Sequence, residues 1–98
     1  LADASVDEIL IFGILHHIPQ WRRVLAECRR VLRSGGMLFV EEPDGRLIRL
    51  FDTVMRLGHP ADARFTLDEF EEGLGGSGFS IAGKRRIPGF GMWSAAGK

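Results

Sequence analysis

Two pairs of ionisable side chains follow two short apolar runs, and their types could do chemistry. His16 and His17 come after the apolar residues 9–12, while Glu41 and Glu42 directly follow the second run. An imidazole can move a proton near neutral pH, and a carboxylate can act as a general base or hold a cation. Each pair therefore marks a place where a substrate or cofactor could lie.

Each pair also has a structural interpretation. One histidine ring could pack into the core at a strand exit while the other stays in water. A metal site is disfavoured, because the chain has only one further histidine, His59, and adjacent residues of an extended segment point apart. For Glu41 and Glu42 we favour solvated carboxylates paired with arginine over a general base.

The histidines are positioned by a predicted strand from Val6 to Gly13. Residues 9–12 are an unbroken apolar, β-favouring run, which is typical of a central parallel strand covered on both faces. Ligands of parallel α/β sheets bind outside the carboxyl ends of the strands, so we expect the chemistry between Phe12 and His17. Pro19 is the predicted first residue of the following helix.

A helix over residues 19–33 is predicted by a single apolar stripe, which includes a buried, unreactive Cys28. Residues 34–36 end that helix, and residues 37–40 form a second buried strand. Strand, helix and strand make a βαβ unit with a right-handed crossover. The stripe consists of Trp21, Val24, Leu25, Cys28, Val31 and Leu32.

The remaining residues predict two helices and a hairpin. A helix beginning after Asp44 has an apolar face, residues 59–64 form a loop, and Thr66 and Glu69 spell a capping box. The four glycines within residues 73–78 end this last helix. Strands at 79–87 and 90–96 are joined by a turn too short for a crossover, so they are antiparallel, with Phe90 and Trp93 in the core. The helix face comprises Leu47, Leu50, Phe51, Val54 and Met55, and the hydrophobic staple pairs Phe65 with Phe70.

The fold class is therefore α/β, in one domain over residues 1–98: two parallel strands plus an antiparallel C-terminal hairpin with flanking helices. The chain has zero formal net charge, which argues against nucleic acid as a partner. Its single cysteine indicates a reducing, cytoplasmic location, and no apolar run reaches the roughly 20 residues that cross a bilayer. Because the chain begins at Leu1, close to a strand, we expect further residues upstream.

The motifs resemble the C-terminal half of a class I S-adenosylmethionine-dependent methyltransferase of the small-molecule type. The resemblance rests on Asp7 at the start of the first strand, the LHH segment at 15–17, the string RVLRSGG at 30–36 and the EP pair at 42–43. It covers nearly the whole chain, with Ser34 where the family usually has proline. It implies a Rossmann-like sheet, although the glycine-rich loop that holds the cofactor in this family is absent from these residues.

The resemblance also implies roles for particular residues. Phe12, Gly13, Ile14 and His16 would contact S-adenosylmethionine, and His17 would be the catalytic residue at the transfer site. Residues 44–65 would help cover a small-molecule substrate in the parent protein. The alternative is a noncatalytic fragment that self-associates or binds a partner, with homodimerisation through the exposed edge of the strand from Val6 to Gly13.

Overall fold

The computed structural model describes residues 1–55 and 65–97 as a mixed α/β structure. The predicted helix end near Gly58 and the predicted loop at 59–64 lie outside the described residues. In chain order the elements are β1 (Val6–Phe12), a 3₁₀ turn (Leu15–His17), α1 (Trp21–Val31), β2 (Leu32–Pro43), α2 (Gly45–Met55), α3 (Leu67–Gly76), β3 (Phe79–Ile87) and β4 (Phe90–Gly97).

The strands form one sheet in the order β1-β2-β4-β3. β1 pairs parallel with β2, and the β3–β4 hairpin joins it antiparallel, with Val40 opposite Trp93. This arrangement confirms the predicted fold class. Among the described residues β1 pairs with β2 alone, so the strand predicted to be central lies here at an edge of the sheet.

The described part of the chain covers only one face of this sheet. Ile11 is 5% exposed, whereas its neighbours Leu10 and Phe12 are 59% and 61% exposed. β1 was predicted to be covered on both faces, and that prediction is wrong for the described residues. The reason is that the core side chains of β1, β2 and β4 all face the side that carries α1 and α3.

The covered face is closed by aromatic and aliphatic side chains. Phe70 is fully buried, with its ring centroid 5.7 Å from that of Trp21 and 4.7 Å from that of Trp93. Cys28 is buried in the same core, as predicted from its place on the apolar stripe. Gly73 lies against the Trp21 ring so closely that a Cβ there would come within 2.6 Å of it.

Helix α3 begins with the predicted capping box. The Glu69 N–H donates to Thr66 Oγ1 at 3.2 Å, and the Thr66 N–H donates to Glu69 Oε1 at 3.1 Å. The Phe65 and Phe70 rings, predicted to form the staple, have centroids 5.2 Å apart. The helix ends at Gly76, as predicted, and Gly78 follows the C-cap in a left-handed conformation, whereas Gly73 and Gly75 lie inside the helix.

Other helix and strand boundaries also differ from the prediction. Helix α1 begins at Trp21 with Gln20 as its N-cap, so Pro19 lies in the preceding turn. Residues 34–36, predicted to end the helix, belong to β2, where the β1–β2 register shifts between Val6 and Glu8.

Apolar side chains of α2 and of β4 are exposed. On α2, Leu50 and Val54 are 57% and 70% exposed while Asp52 is buried, because the helix turns its polar Asp52 side inward. Phe90 was predicted in the core, but it is 37% exposed since it begins β4 directly after the hairpin turn.

Candidate ligand-binding site at the strand exits

The carboxyl ends of β1 and β2 lie side by side. The Gly13 N–H donates to the Glu41 carbonyl at 2.8 Å, which extends the parallel pairing one residue beyond β1. Gly13 then adopts a φ of +69°, a left-handed conformation that favours glycine, and its missing Cβ would meet no atom within 4 Å. The chain turns away from the sheet here and leaves open space beside the backbone.

Three of the predicted cofactor-binding residues lie together at this exit. Phe12 and Ile14 are 61% and 52% exposed, and Gly13 between them is also exposed. His17, predicted to be catalytic, is exposed at the end of the 3₁₀ turn. Their accessibility is what ligand contact requires, and their roles stay predictions.

His16 is enclosed by this chain's own residues. It is 1% exposed, and its ring stacks on Phe65 with the centroids 3.9 Å apart. Its Nε2 lies 2.5 Å from the Pro43 carbonyl oxygen, which can only accept, so Nε2 carries the proton and donates. One ring is thus packed and one exposed, as the structural interpretation of the pair predicts, while cofactor contact by His16 stays a prediction.

Glu42 is the residue whose environment the sequence analysis missed. It is 0% exposed, and its Oε1 accepts a hydrogen bond from the Leu15 N–H at 3.0 Å. The favoured prediction of a solvated, arginine-paired carboxylate is therefore wrong for Glu42. Alternation along β2 is the signal that could have found it, because Glu42 shares the inward face with Leu38 and Val40.

Burial controls the ionisation of Glu42. Loss of hydration raises the pKa of the carboxyl to about 7, even though the backbone amides of residues 13–16 act in the opposite direction. Oε2 has no hydrogen-bond partner among the described residues. Glu42 is thus a carboxyl that titrates near neutrality inside the fold.

Glu41 has the opposite environment, although it is the adjacent residue. Its side chain is exposed and lies on the open face of the sheet, across from Phe12 of β1 and Met92 of β4. It lines an open groove of about 570 Å³ that runs over this face. The apolar side chains that face this groove are those of Leu10, Phe12, Phe39 and Met92.

Two basic residues of the hairpin, Lys84 and Arg86, are engaged with acidic partners. Glu71 of α3 accepts from Lys84 Nζ at 3.0 Å and from Arg86 Nη2 at 2.5 Å. It also accepts from the Trp93 indole N–H at 3.1 Å. These charges therefore hold α3 on the hairpin.

Residues 1–55 and 65–97 contain neither a cluster of metal-binding side chains nor a membrane-spanning helix. In this part of the chain no group of three or more His, Cys, Asp or Glu side chains could hold a metal ion. None of its helices has the length and apolar character needed to span a membrane.

Comparison with known proteins identifies the family resemblance. Residues 1–40 match the family described as a methyltransferase domain. A probable S-adenosylmethionine-dependent methyltransferase of Mycobacterium tuberculosis is 43% identical over 44 residues, which is 45% of this chain and 16% of that protein. The resemblance to S-adenosylmethionine-dependent methyltransferases is thus confirmed, and it is carried by the part of the chain that forms β1, α1 and most of β2.

Solved structures confirm the Rossmann-like methyltransferase fold over the whole chain. The complex between the Haloferax volcanii Trm112 methyltransferase activator and a methyltransferase matches with a TM-score of 0.83 and 13% identity, over 99% of this chain and 56% of that one. The [4+2]-cyclase SpnF matches with a TM-score of 0.77 and 16% identity, over 99% and 51%. The chain spans about half of these structures, and the fold accommodates more than one named reaction.

The strand exit suits part of S-adenosylmethionine. Exposed Phe12 and Ile14 offer apolar contact to an aliphatic chain, and Gly13 leaves the space that a side chain would fill. The described residues at this exit therefore fit one side of the cofactor, its aliphatic portion.

Proposed function

We propose that the protein transfers a methyl group from S-adenosylmethionine to a small-molecule acceptor, with residues 12–14 forming one wall of the cofactor site. The observation that carries the proposal is the left-handed Gly13 between exposed Phe12 and Ile14, at the end of a strand that lies inside the methyltransferase match. This chain alone, which lacks a glycine-rich cofactor loop, is expected to be inactive.

The chain's own residues would act mainly by positioning. S-adenosylmethionine supplies an activated methyl group on a sulfonium, so holding the acceptor in line contributes most of the rate. Phe12 and Ile14 would bind the aliphatic part of the cofactor. Exposed His17 would remove a proton from those acceptors that must lose one.

Residues 44–65 would help to cover the acceptor. The two ends of this segment are joined, because the Gly45 N–H donates to the Phe65 carbonyl at 2.6 Å. Stacking of Phe65 on His16 holds that junction beside the exit of β1. The two described ends of the segment therefore lie beside the proposed cofactor wall, which supports a role in covering the acceptor.

Calorimetry with S-adenosylmethionine tests the proposal, on the 98-residue chain and on the longest product of the same gene. We expect the longer protein to bind and the 98-residue chain to bind much more weakly. Phe12→Ala should weaken binding by the longer protein. The control is Phe90→Ala, which truncates a partly exposed phenylalanine at the hairpin turn. Absence of binding by the longest product would contradict the proposal.

The reaction itself is checked by mass spectrometry of candidate acceptors, because the same fold occurs in a protein named as a cyclase. A methyltransferase adds one methylene unit to the acceptor's mass and leaves S-adenosylhomocysteine. We expect His17→Ala to lower turnover for acceptors that lose a proton and to leave cofactor affinity unchanged. A cofactor-dependent rearrangement without methyl transfer would overturn the proposal.

A second candidate function is self-association of a noncatalytic chain. One edge of β1 has no partner strand among the described residues, and on the open face beside it Leu10 and Phe12 are more than half exposed. Strand-to-strand homodimerisation would pair that edge. Sedimentation should then show a dimer at micromolar concentration that Leu10→Lys weakens, whereas a well-folded monomer would exclude this function.

A cytoplasmic location belongs to the same proposal. Cys28 is the only cysteine of the chain and is buried in the core as a free thiol. A free thiol is stable in a reducing compartment. Fractionation of cells that express the full gene product would test this location.

A further inference from the structure

The 3₁₀ turn at Leu15–His17 begins without a cap of its own. Ile14 occupies its N-cap position and makes no side-chain hydrogen bond, since an isoleucine has no acceptor to offer. The first N–H groups of a helical turn have no partner inside the turn and need one from elsewhere. Here the Leu15 N–H donates to Glu42 Oε1 at 3.0 Å. A carboxylate from the neighbouring strand thus replaces the missing N-cap.

A second contact joins the same two segments in the opposite direction. His16 Nε2 donates to the Pro43 carbonyl at 2.5 Å, so a side chain of the turn binds the backbone of β2 while a side chain of β2 binds the backbone of the turn. The backbone link from Gly13 N–H to the Glu41 carbonyl precedes both. We call these three hydrogen bonds the exit brace. Together they fix the path of the chain from Gly13 to His16.

Glu42 can act on a ligand only through other residues. Its side chain is 0% exposed, beneath Leu15 and His16, which are themselves 0% and 1% exposed. A ligand at the strand exit would instead meet Ile14, which is 52% exposed and immediately precedes the amide that Glu42 binds. The geometry therefore excludes direct contact between Glu42 and a ligand. Glu42 can act only by supporting the residues that contact the ligand.

We propose that Glu42 is a positioning residue for ligand binding: its carboxylate caps the turn from the adjacent strand and holds Gly13 and Ile14 in the conformation that meets S-adenosylmethionine. The ligand in this statement rests on the function proposed above. The cap itself does not, because it is a property of the chain without any ligand.

The first measurement is amide hydrogen exchange at Leu15, made by NMR without ligand. Glu42→Ala should speed this exchange by about tenfold, since it removes the acceptor of a buried N–H group. Glu42→Gln keeps an acceptor oxygen at the same reach and should preserve the protection. Glu41→Ala is the matched control, and it should leave Leu15 unchanged because that side chain lies on the other face of the sheet.

The second measurement is the Kd for S-adenosylmethionine of the longest product of the gene with the same substitutions. We expect Glu42→Ala to raise the Kd by about tenfold, with Glu42→Gln close to the wild type. Should Glu42→Ala fail to fold, Glu42→Asp replaces it, because a carboxylate one methylene shorter falls short of Leu15. It should raise both the exchange rate and the Kd.

The outcomes separate this proposal from the function on which it rests. Unchanged Leu15 exchange in the Ala or Asp variant overturns the cap. Faster exchange with an unchanged Kd overturns the positioning role. If the wild type binds no S-adenosylmethionine, the proposed function and the positioning role are both wrong. The exchange data still show whether Glu42 caps the 3₁₀ turn.

Discussion

The two faces of the sheet give adjacent residues opposite environments. Glu41 and Glu42 differ by one position along β2, yet Glu41 is exposed on the open face and Glu42 is completely buried on the covered face. The same contrast separates exposed Leu10 and Phe12 from buried Ile11 in β1. Residue type therefore says little about burial in these strands, because successive side chains point to opposite faces and only one face is covered by helices.

The difference shows where a polar group acquires a specific structural role. On the open face a carboxylate stays hydrated, and removal of an apolar side chain lowers the free energy of unfolding only slightly. On the covered face a carboxylate must find a donor, and Glu42 finds the Leu15 N–H at 3.0 Å. A residue's contribution to the free energy of unfolding should therefore depend on which face of the sheet it occupies. The following substitutions test this dependence.

The largest expected effect comes from removing an aromatic ring on each face. Phe70→Ala on the covered face should lower the free energy of unfolding by about 3–5 kcal/mol, since the buried ring leaves a cavity between Trp21 and Trp93. Phe39→Ala on the open face should cost about 1 kcal/mol, because that ring is only half-buried. Urea denaturation of both variants measures the difference, and equal losses would show that the open face is covered in solution.

The pH dependence of stability is the next largest effect. The folded-state pKa of Glu42 is raised from 4.5 to about 7, so between these values the folded protein binds more protons than the unfolded one. The free energy of unfolding should therefore fall as pH rises from 4.5 to 7, by about 3 kcal/mol in total, and level off above 7.

Two substitutions assign this pH dependence to one carboxyl. Glu42→Gln cannot ionise and should lose the decline between pH 4.5 and pH 7. Glu41→Gln on the open face should retain it. Denaturant midpoints across this pH range measure both, and an unaltered decline in Glu42→Gln would mean that another group is responsible.

The smallest expected effect concerns two glycines of α3 that face in different directions. A Cβ at Gly73 would lie 2.6 Å from the Trp21 ring, so Gly73→Ala should destabilise the protein by about 1–3 kcal/mol. A Cβ at Gly75 would meet no atom within 4 Å, and Gly75→Ala should stabilise the helix by about 0.5 kcal/mol. Thermal unfolding compares the two, and a stabilised Gly73→Ala would contradict the close packing of α3 on α1.

Local patterns predicted most of the secondary structure. The apolar stripe predicted α1, and the residues TLDE at 66–69 predicted the cap of α3. The short turn before Phe90 predicted the antiparallel hairpin. Each of these signals depends on a few adjacent residues, so a short stretch of sequence contains all the information that predicts the element. The position of the candidate site at the exit of β1 followed from the direction of the strands.

Contacts between distant residues could not be predicted in the same way. Glu42 meets Leu15 across 27 positions, and its burial depends on a turn whose 3₁₀ form has no strong sequence signal. The inward Asp52 of α2 and the exposed Leu50 reverse the order that their hydrophobicity predicts. In both cases tertiary packing outweighs the local preference of the side chain.

The position of β4 between β2 and β3 has a consequence for synthesis. Val40 pairs with Trp93, so the inner neighbour of β2 is made about 50 residues after β2 itself leaves the ribosome. Until residues 90–97 emerge, one hydrogen-bonding edge of β2 lacks the strand with which it pairs in the folded sheet. We therefore expect chaperones to shield the unpaired edge of β2 in the nascent chain during this interval. The sheet should then be completed in a single late step, when β4 pairs with β2.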